Sequence, residues 1–295
     1  MKTAVLLVPL LFLAACATSP REVSRAALAT SPVAVAPSNA PVWPANAPGL
    51  AAQSAVMIDA RSGEVLFQKN ADAPRVPAST QKLLTALLVS RRGNLDAVVT
   101  IKPEDTRVEP TRLGLRPGER YARRDLLQSI LVKSSNDACA ALARDHSGSE
   151  AAFTDNMNRA AWSLGARSSH FANSHGLPAS QFSTARDIAR IAFLAYRDPT
   201  LRRMMQQRIV FFRHNTGRIT RLEATNKLLG RSSAYNGMKT GYTDAAGRCL
   251  VSSGRLNGRE VILVQLGSKT RYIFDDAQRL MAWSGRGSGT SHGAL

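Results

Sequence analysis

The feature that most restricts how this chain can fold is the placement of its β-prone segments at the two ends of the sequence, with helical patterns between. Ser54-Ala-Val-Met-Ile-Asp59 is an apolar run, Ala60-Arg-Ser-Gly63 is turn-like, and Glu64-Val-Leu-Phe-Gln68 is β-prone, which together read as a hairpin. Strand character returns at Ala234 to Gly241, Gly247 to Ser253 and Val261 to Gly267. Between these lie helical patterns at Ser79 to Val89, Arg123 to Val132, Asp137 to Arg144, Glu150 to Leu164 and Thr184 to Tyr196. Phe274 to Trp283 closes the chain as an amphipathic helix. Early and late strands with helices between them imply one sheet whose members, distant in sequence, meet in space. The expected class is α/β, of the α+β type. The Ser79 to Val89 helix is apolar all round and is therefore expected to be buried.

The two ends of the sequence read differently. Met1 and Lys2 begin a cationic segment and Val5 to Ala15 is almost wholly apolar, too short to span a bilayer but suited to a signal peptide over residues 1–15. Leu13-Ala-Ala-Cys16 resembles the bacterial lipobox, so Cys16 is the expected lipid-bearing residue of the mature chain. That places the protein outside the cytoplasm, held to a membrane by lipid, on the periplasmic face in a Gram-negative cell. Residues 16–50 are rich in Ala, Ser and Pro and read as an extended tether. Residues 51–283 form the folded domain, and 284–295, rich in Gly and Ser, read as a disordered tail.

Composition narrows the partners. The chain has 295 residues, 44% of them hydrophobic and 20% charged, enough to bury a core and to exclude wholesale disorder. Lys and Arg exceed Asp and Glu by 39 to 21, a net +18 compatible with an anionic partner. An exported chain without a nucleic-acid-binding motif is not expected to bind nucleic acid. Three cysteines cannot build a disulfide scaffold, and without a Cys-x-x-Cys pair or a His-Glu-x-x-His helix no metal or other cofactor is expected.

Three short motifs carry the chemistry. Ser79-Thr-Gln-Lys82 puts a hydroxyl and an amine one helical turn apart. A serine is a weak nucleophile that needs a base beside it, and a desolvated lysine can serve. About one such Ser-x-x-Lys arises by chance in a chain of this composition, so alone it is weak. Ser134-Ser-Asn136 can present a hydroxyl and a carboxamide to one cleft, or simply cap the helix that follows. Lys239-Thr-Gly241 is rarer, and offers a cation, a hydroxyl and a glycine against which a bound chain can lie.

In this order the three motifs resemble the penicillin-recognising serine enzymes. The likeness extends to the low-molecular-mass penicillin-binding proteins of the D-alanyl-D-alanine carboxypeptidase family, through Val76-Pro-Ala-Ser-Thr-Gln-Lys82, Ser134-Ser-Asn-Asp-Ala138, Phe171-Ala-Asn-Ser-His-Gly-Leu177, Ser183-Thr-Ala-Arg-Asp187 and Gly237-Met-Lys-Thr-Gly-Tyr-Thr-Asp-Ala-Ala-Gly247. It implies a β-lactamase/transpeptidase-like fold, an antiparallel sheet flanked by helices plus an all-helical subdomain. It also implies peptidoglycan stem peptides as substrates and β-lactams as covalent inhibitors. By similarity Ser79 attacks the carbonyl between two D-alanines, Lys82 takes its proton, and Ser134 relays a proton to the leaving amine. Asn136 holds the substrate amide, Lys239 supplies positive potential, and Thr240 binds the terminal carboxylate. Gly241 leaves room for the substrate, while the N–H groups of Ser79 and Tyr242 form the oxyanion hole. Arg271 is carried over as a carboxylate binder although its local spacing departs from the family's.

Family members commonly add a β-rich second domain and a C-terminal amphipathic helix, which this sequence lacks, so lipid on Cys16 is expected to replace that anchor. The short chain and Arg248-Cys-Leu-Val251 lean toward a D,D-endopeptidase branch, whereas Ser-Ser-Asn-Asp leans toward the carboxypeptidases, the preferred reading. A class A β-lactamase needs a deacylating glutamate between the second and third motifs; none lies between Glu150 and Glu223, and Glu150 comes too soon after Asn136 to match. A non-catalytic wall-binding lipoprotein is the remaining alternative, disfavoured by retention of every motif side chain. Cys139 and Cys249 are expected as buried free thiols, His175 as a structural hydrogen-bonder, and Trp162 and Trp283 as core.

Overall fold

A computed structural model of the chain describes residues 47–284; Cys16, the signal segment, most of the tether and the 285–295 tail lie outside the described residues. The expected hairpin is β1 (Ser54–Asp59) and β2 (Val65–Lys69). Asp59 Oδ1 closes its turn by accepting from the N–H groups of Arg61 and Ser62, at 2.8 and 3.0 Å. The late strands are β7 (Tyr235–Thr243), β8 (Gly247–Leu256) and β9 (Arg259–Ser268). All five form one antiparallel sheet in the order β2-β1-β9-β8-β7, so the first strand pairs directly with the last.

The pleat explains why β1 reads as a continuous apolar run. Its Ala55 and Met57 face one side, where Leu263 of β9 and Leu280 and Met281 of α7 (Ile273–Ser284) pack. Its Val56 and Ile58 face the other, against α1 (Lys82–Arg92) and α5 (Ala185–Arg197). Both faces of the sheet are covered, so alternation of polar and apolar residues disappears. Full burial of one such side chain contributes roughly 1.5–3 kcal/mol. As expected, α1 is buried along most of its length, Lys82 through Val89.

The helical half comprises α1, α2 (Arg123–Val132), α3 (Asn136–Ser147), α4 (Glu150–Ser163), α5 and α6 (Pro199–Met205). Its ends are set by local chemistry. Ser149, Thr184 and Asp198 accept from backbone N–H groups at the starts of α4, α5 and α6. This half also carries two small hairpins that sequence reading passes over, β3 (Val98–Thr100) with β4 (Arg120–Ala122) and β5 (Ile209–Arg213) with β6 (Ile219–Glu223). Three-residue strands carry no periodic signal, and β5–β6 leaves Phe211 and Ile219 exposed.

Trp162 corrects the expectation of a core residue, being 62% exposed. Helix α4 buries Phe153, Met157, Ala160 and Ala161, and Trp162 falls off that stripe, where the guanidinium of Arg167 lies 5.1 Å from its ring centre. Trp283 is half-buried and meets Phe67 edge to face.

Candidate active site

The chain approaches the site through Ala78, a buried residue with φ +47°, in the left-handed region that favours glycine. A tight 3-10 turn over Ala78–Gln81 then leads into α1 and places Ser79 one turn before Lys82. Thr80 secures the turn by donating to the Pro77 carbonyl at 2.6 Å. Two glycines let other segments close on Ser79. A Cβ on Gly241 of β7 would lie 2.9 Å from the Ser79 nitrogen, and one on Gly176 would lie 2.2 Å from the Ala78 carbonyl oxygen. Nothing larger fits at either position without moving backbone.

Lys82 Nζ lies 2.8 Å from Ser79 Oγ, 2.7 Å from Asn136 Oδ1 and 2.5 Å from the carbonyl oxygen of His175. The three acceptors match the three N–H groups of an ammonium; in the free amine two N–H groups remain for Asn136 and His175, and the lone pair faces Ser79. The side chain is fully buried, and burial brings its pKa down from 10.5 to about 8. Ser79 Oγ also donates to the His175 carbonyl, at 3.2 Å.

Ser134 sits between α2 and α3 with φ +69° and lines the cleft. The α3 start is fixed by Asp137, a wholly buried carboxylate that accepts from the N–H groups of Leu113, Gly114 and Leu115 at 2.8 to 3.2 Å. Those bonds draw the Pro110–Leu115 segment over the site, where Asn136 N–H reaches the Thr111 carbonyl at 2.8 Å and Asn136 Nδ2 the Pro110 carbonyl. Both ends of the Asn136 carboxamide are therefore engaged inside the protein, rather than open to the cleft where a substrate amide was expected.

On the opposite wall, Lys239 is fully buried, its Nζ 2.9 Å from the Thr240 carbonyl. Burial and then the charge of Lys82 push its pKa well below the ordinary lysine range, an electrostatic coupling that places the two amines in one neighbourhood. Thr240 Oγ1 donates to Thr225 Oγ1 at 2.6 Å.

Ser79, Ser134, Thr225, Thr240, Gly241, Tyr242, Arg248 and Thr270 are among the residues lining a cleft of about 380 Å³. Arg271 is not among them; its guanidinium stands 5.3 Å from the ring centre of Tyr272. The cleft wall carries Lys133, Lys227 and Arg248, and the Arg248 guanidinium packs 4.2 Å from the Tyr242 ring centre while its Nε donates to Thr270 at 2.9 Å. The family resemblance carries Arg271 over for its place shortly before the closing helix, although its spacing departs from the family's, whereas Arg248 sits on β8 directly opposite Tyr242 in the β7–β8 register.

Cys139 and Cys249 are buried free thiols, both raised to about 11 by burial. Cys249 lies among the residues of the cleft wall. The His175 ring is pushed down to about 3, chiefly by burial, and accepts from the Leu177 N–H at 3.3 Å. The atom of His175 that meets Ser79 and Lys82 is its backbone carbonyl, which no side-chain motif could have announced.

This combination, a hydroxyl against a buried amine beneath a Lys-Thr-Gly strand, accords with the likeness drawn from the motifs. A sequence profile of D-alanyl-D-alanine carboxypeptidases matches residues 42–270. The chain belongs to this carboxypeptidase family, a family of serine-type hydrolases. It is 33% identical over 247 residues to a D-alanyl-D-alanine endopeptidase of Pseudomonas aeruginosa, covering 82% of this chain and 80% of that one. It is 34% identical over 249 residues to the carboxypeptidase DacC of Escherichia coli, covering 80% of this chain and 61% of the relative. The chain thus spans about three-fifths of that carboxypeptidase's length. The crystal structure of a D-alanyl-D-alanine carboxypeptidase from Mycobacterium tuberculosis superposes with a TM-score of 0.81 at 30% identity, covering 86% of this chain and 100% of the other.

Proposed function

We propose that the protein is a serine-type D-alanyl-D-alanine carboxypeptidase that trims peptidoglycan stem peptides through an acyl-enzyme on Ser79. The observation that carries this reading is the 2.8 Å approach of a fully buried Lys82 amine to the Ser79 hydroxyl. With a pKa of about 8, roughly a tenth of Lys82 is free amine at pH 7, enough for a general base, whereas an ordinary surface lysine would offer under a thousandth.

Ser79 Oγ attacks the carbonyl carbon between the two D-alanines as its proton passes to Lys82 Nζ. The resulting oxyanion is held by backbone N–H groups of Ser79 and Tyr242, a contribution of several kcal/mol in such sites. The C–N bond breaks, and the leaving D-alanine amine receives the proton from Lys82 by way of Ser134. Water then adds to the ester with Lys82 again accepting a proton, and Ser79 is released. Thr240 and Arg248 on the cleft wall receive the terminal carboxylate, with Lys239 buried behind them. Asn136 acts by holding Lys82, with which it shares a 2.7 Å hydrogen bond.

A second reading, cleavage of D-alanyl crosslinks, is favoured by the Arg248-Cys-Leu-Val251 stretch beside the cleft and by the likeness to the Pseudomonas endopeptidase. Digestion of purified muropeptides followed by mass analysis separates the two: monomers lose one D-alanine in the first case, and dimers are split in the second. Intact products in both pools, with Ser79→Ala equal to the parent, would remove the enzymatic account altogether. β-Lactams would acylate Ser79 and leave slowly. Glu150 turns its Oε1 to the Ser174 N–H and does not line the cleft. Among the described residues no helix is long and apolar enough to cross a membrane. Lipid on Cys16 would hold the enzyme to the membrane outside the cytoplasm, with the Pro-rich segment as its tether.

A further inference from the structure

The carbonyl of His175 touches both the hydroxyl of Ser79 and the amine of Lys82, so what fixes that carbonyl matters to both. The segment 173–176 has no regular secondary structure and is pinned by side chains from three helices. Thr85 of α1 and Cys139 of α3 donate to the Ser174 carbonyl, at 2.7 and 3.3 Å. Glu150, the first residue of α4, accepts from the Ser174 N–H through Oε1 at 2.7 Å, with the same oxygen 4.0 Å from His175 Nε2. Asn173 Oδ1 accepts from the Gly176 N–H at 2.7 Å.

Three of these ties are neutral; Glu150 brings a charge. Its side chain is 38% exposed overall, yet Oε2 is buried and makes no hydrogen bond. Burial raises this carboxyl above its ordinary range, while the Ser174 N–H draws it back toward the charged form. A surface loop could be tied down by a neutral acceptor without that desolvation cost. The groups that share its field are Lys82 on α1, Cys139 on α3, His175 in the loop and Asp105 in the turn over Pro103–Thr106, with Lys239 of β7 beyond Lys82. The Glu150 charge favours the ammonium form of Lys82.

We infer that Glu150 is a positioning residue for the Ser79–Lys82 pair: its carboxylate holds the Ser174–His175 peptide so that the His175 carbonyl stays on both groups, and its charge steadies the ammonium that Lys82 becomes when Ser79 attacks. The inference rests on the reading of Lys82 as base. Glu150→Gln keeps an oxygen for the Ser174 N–H and removes the charge; Glu150→Ala removes both. The two roles therefore separate in one experiment.

The second-order rate of Ser79 labelling by a fluorescent penicillin would be measured from pH 5 to 10 for the parent chain, both variants and Lys82→Ala, alongside thermal unfolding to establish folding. Glu150→Gln should keep at least half the plateau rate while the acid limb moves to lower pH by more than about 0.3 unit, because the free amine is then reached more easily. Glu150→Ala should lower the plateau at least about fivefold below that of Glu150→Gln, since small displacements of a reacting pair are costly. An acid limb that stays put or moves up in Glu150→Gln, or plateaus of the two variants within fivefold of each other, overturns the inference. Lys82→Ala labelled at the parental rate would instead overturn the base assignment on which it stands.

Discussion

Replacing Gly176 by alanine should slow acylation on the order of 100-fold and also lower the stability of the fold. At φ +85° an L-residue incurs roughly 1–2 kcal/mol for the left-handed backbone. The larger effect is steric: the new Cβ would sit 2.2 Å from the Ala78 carbonyl oxygen and 2.8 Å from the Ser79 nitrogen. A relaxed carbon-to-oxygen contact needs about 1 Å more, so the His175–Gly176 segment and the Ser79 turn must separate by that much. Strain of this kind adds a further 1–3 kcal/mol or so, and a total of a few kcal/mol corresponds to a drop of roughly 5–15 °C in Tm for a domain of this size. Meanwhile the His175 carbonyl moves off Lys82 and Ser79, and a misplacement of about 1 Å at a reacting pair costs on the order of 100-fold in rate. The control is Gly63→Ala, where φ is +80° but the Cβ would meet only the Phe193 ring at 3.6 Å. That variant incurs the backbone cost alone, and its labelling should match the parent. Time courses of fluorescent-penicillin labelling with melting curves on the three proteins decide the matter. If Gly176→Ala labels within threefold of Gly63→Ala, the close approach of the two segments does not position the nucleophile.

Four other outcomes are expected. The rate of Ser79 acylation should rise with pH with a midpoint near 8, because Lys82 acts as the free amine and is protonated below that value; a profile flat from pH 6 to 9 would contradict it. From the same depressed pKa the folded state binds fewer protons than the unfolded chain between about pH 8 and 10.5, so this group makes stability grow as pH rises through that window. Asp137→Ala should cost about 3–5 kcal/mol in urea unfolding by stranding three backbone N–H groups and loosening the segment over the site, with Asp137→Asn recovering part of the loss. Arg248→Ala should raise KM for an anionic stem-peptide substrate, while Arg271→Ala stays within twofold of the parent; the opposite ranking would return the carboxylate contact to Arg271.

The parts of the molecule that were legible beforehand are those whose signal is periodic or carried by a side-chain motif. The β1–β2 hairpin, the late strands and most helices follow from runs of apolar residues at strand or helix spacing, and Ser79 with Lys82 follows from one helical turn of separation. What escaped has no such signature. The His175 carbonyl is a backbone atom, and any residue could have supplied it. Glu150 reads as an ordinary first-turn acid of α4 until the fold brings it under Ser174. Arg248 reaches the cleft through strand register, opposite Tyr242, a relation that distance along the chain does not reveal. Trp162 was assigned to the core by residue type, although its position on α4 turns it outward.

The pairing of β1 with β9 bears on how such a chain acquires its shape. Residues 54–59 leave the ribosome long before residues 259–268, yet β1 lies inside the sheet, with β2 on one side and β9 on the other. Until the last third of the polypeptide arrives, Ala55 and Met57 lack the α7 helix that covers their face, and the whole of β1 lacks its β9 partner. Such distant pairing slows folding and leaves a sticky early segment in the nascent chain. Release of a shortened product ending before β9 would leave that segment with no native partner, and aggregation or proteolysis rather than a smaller enzyme is its expected fate.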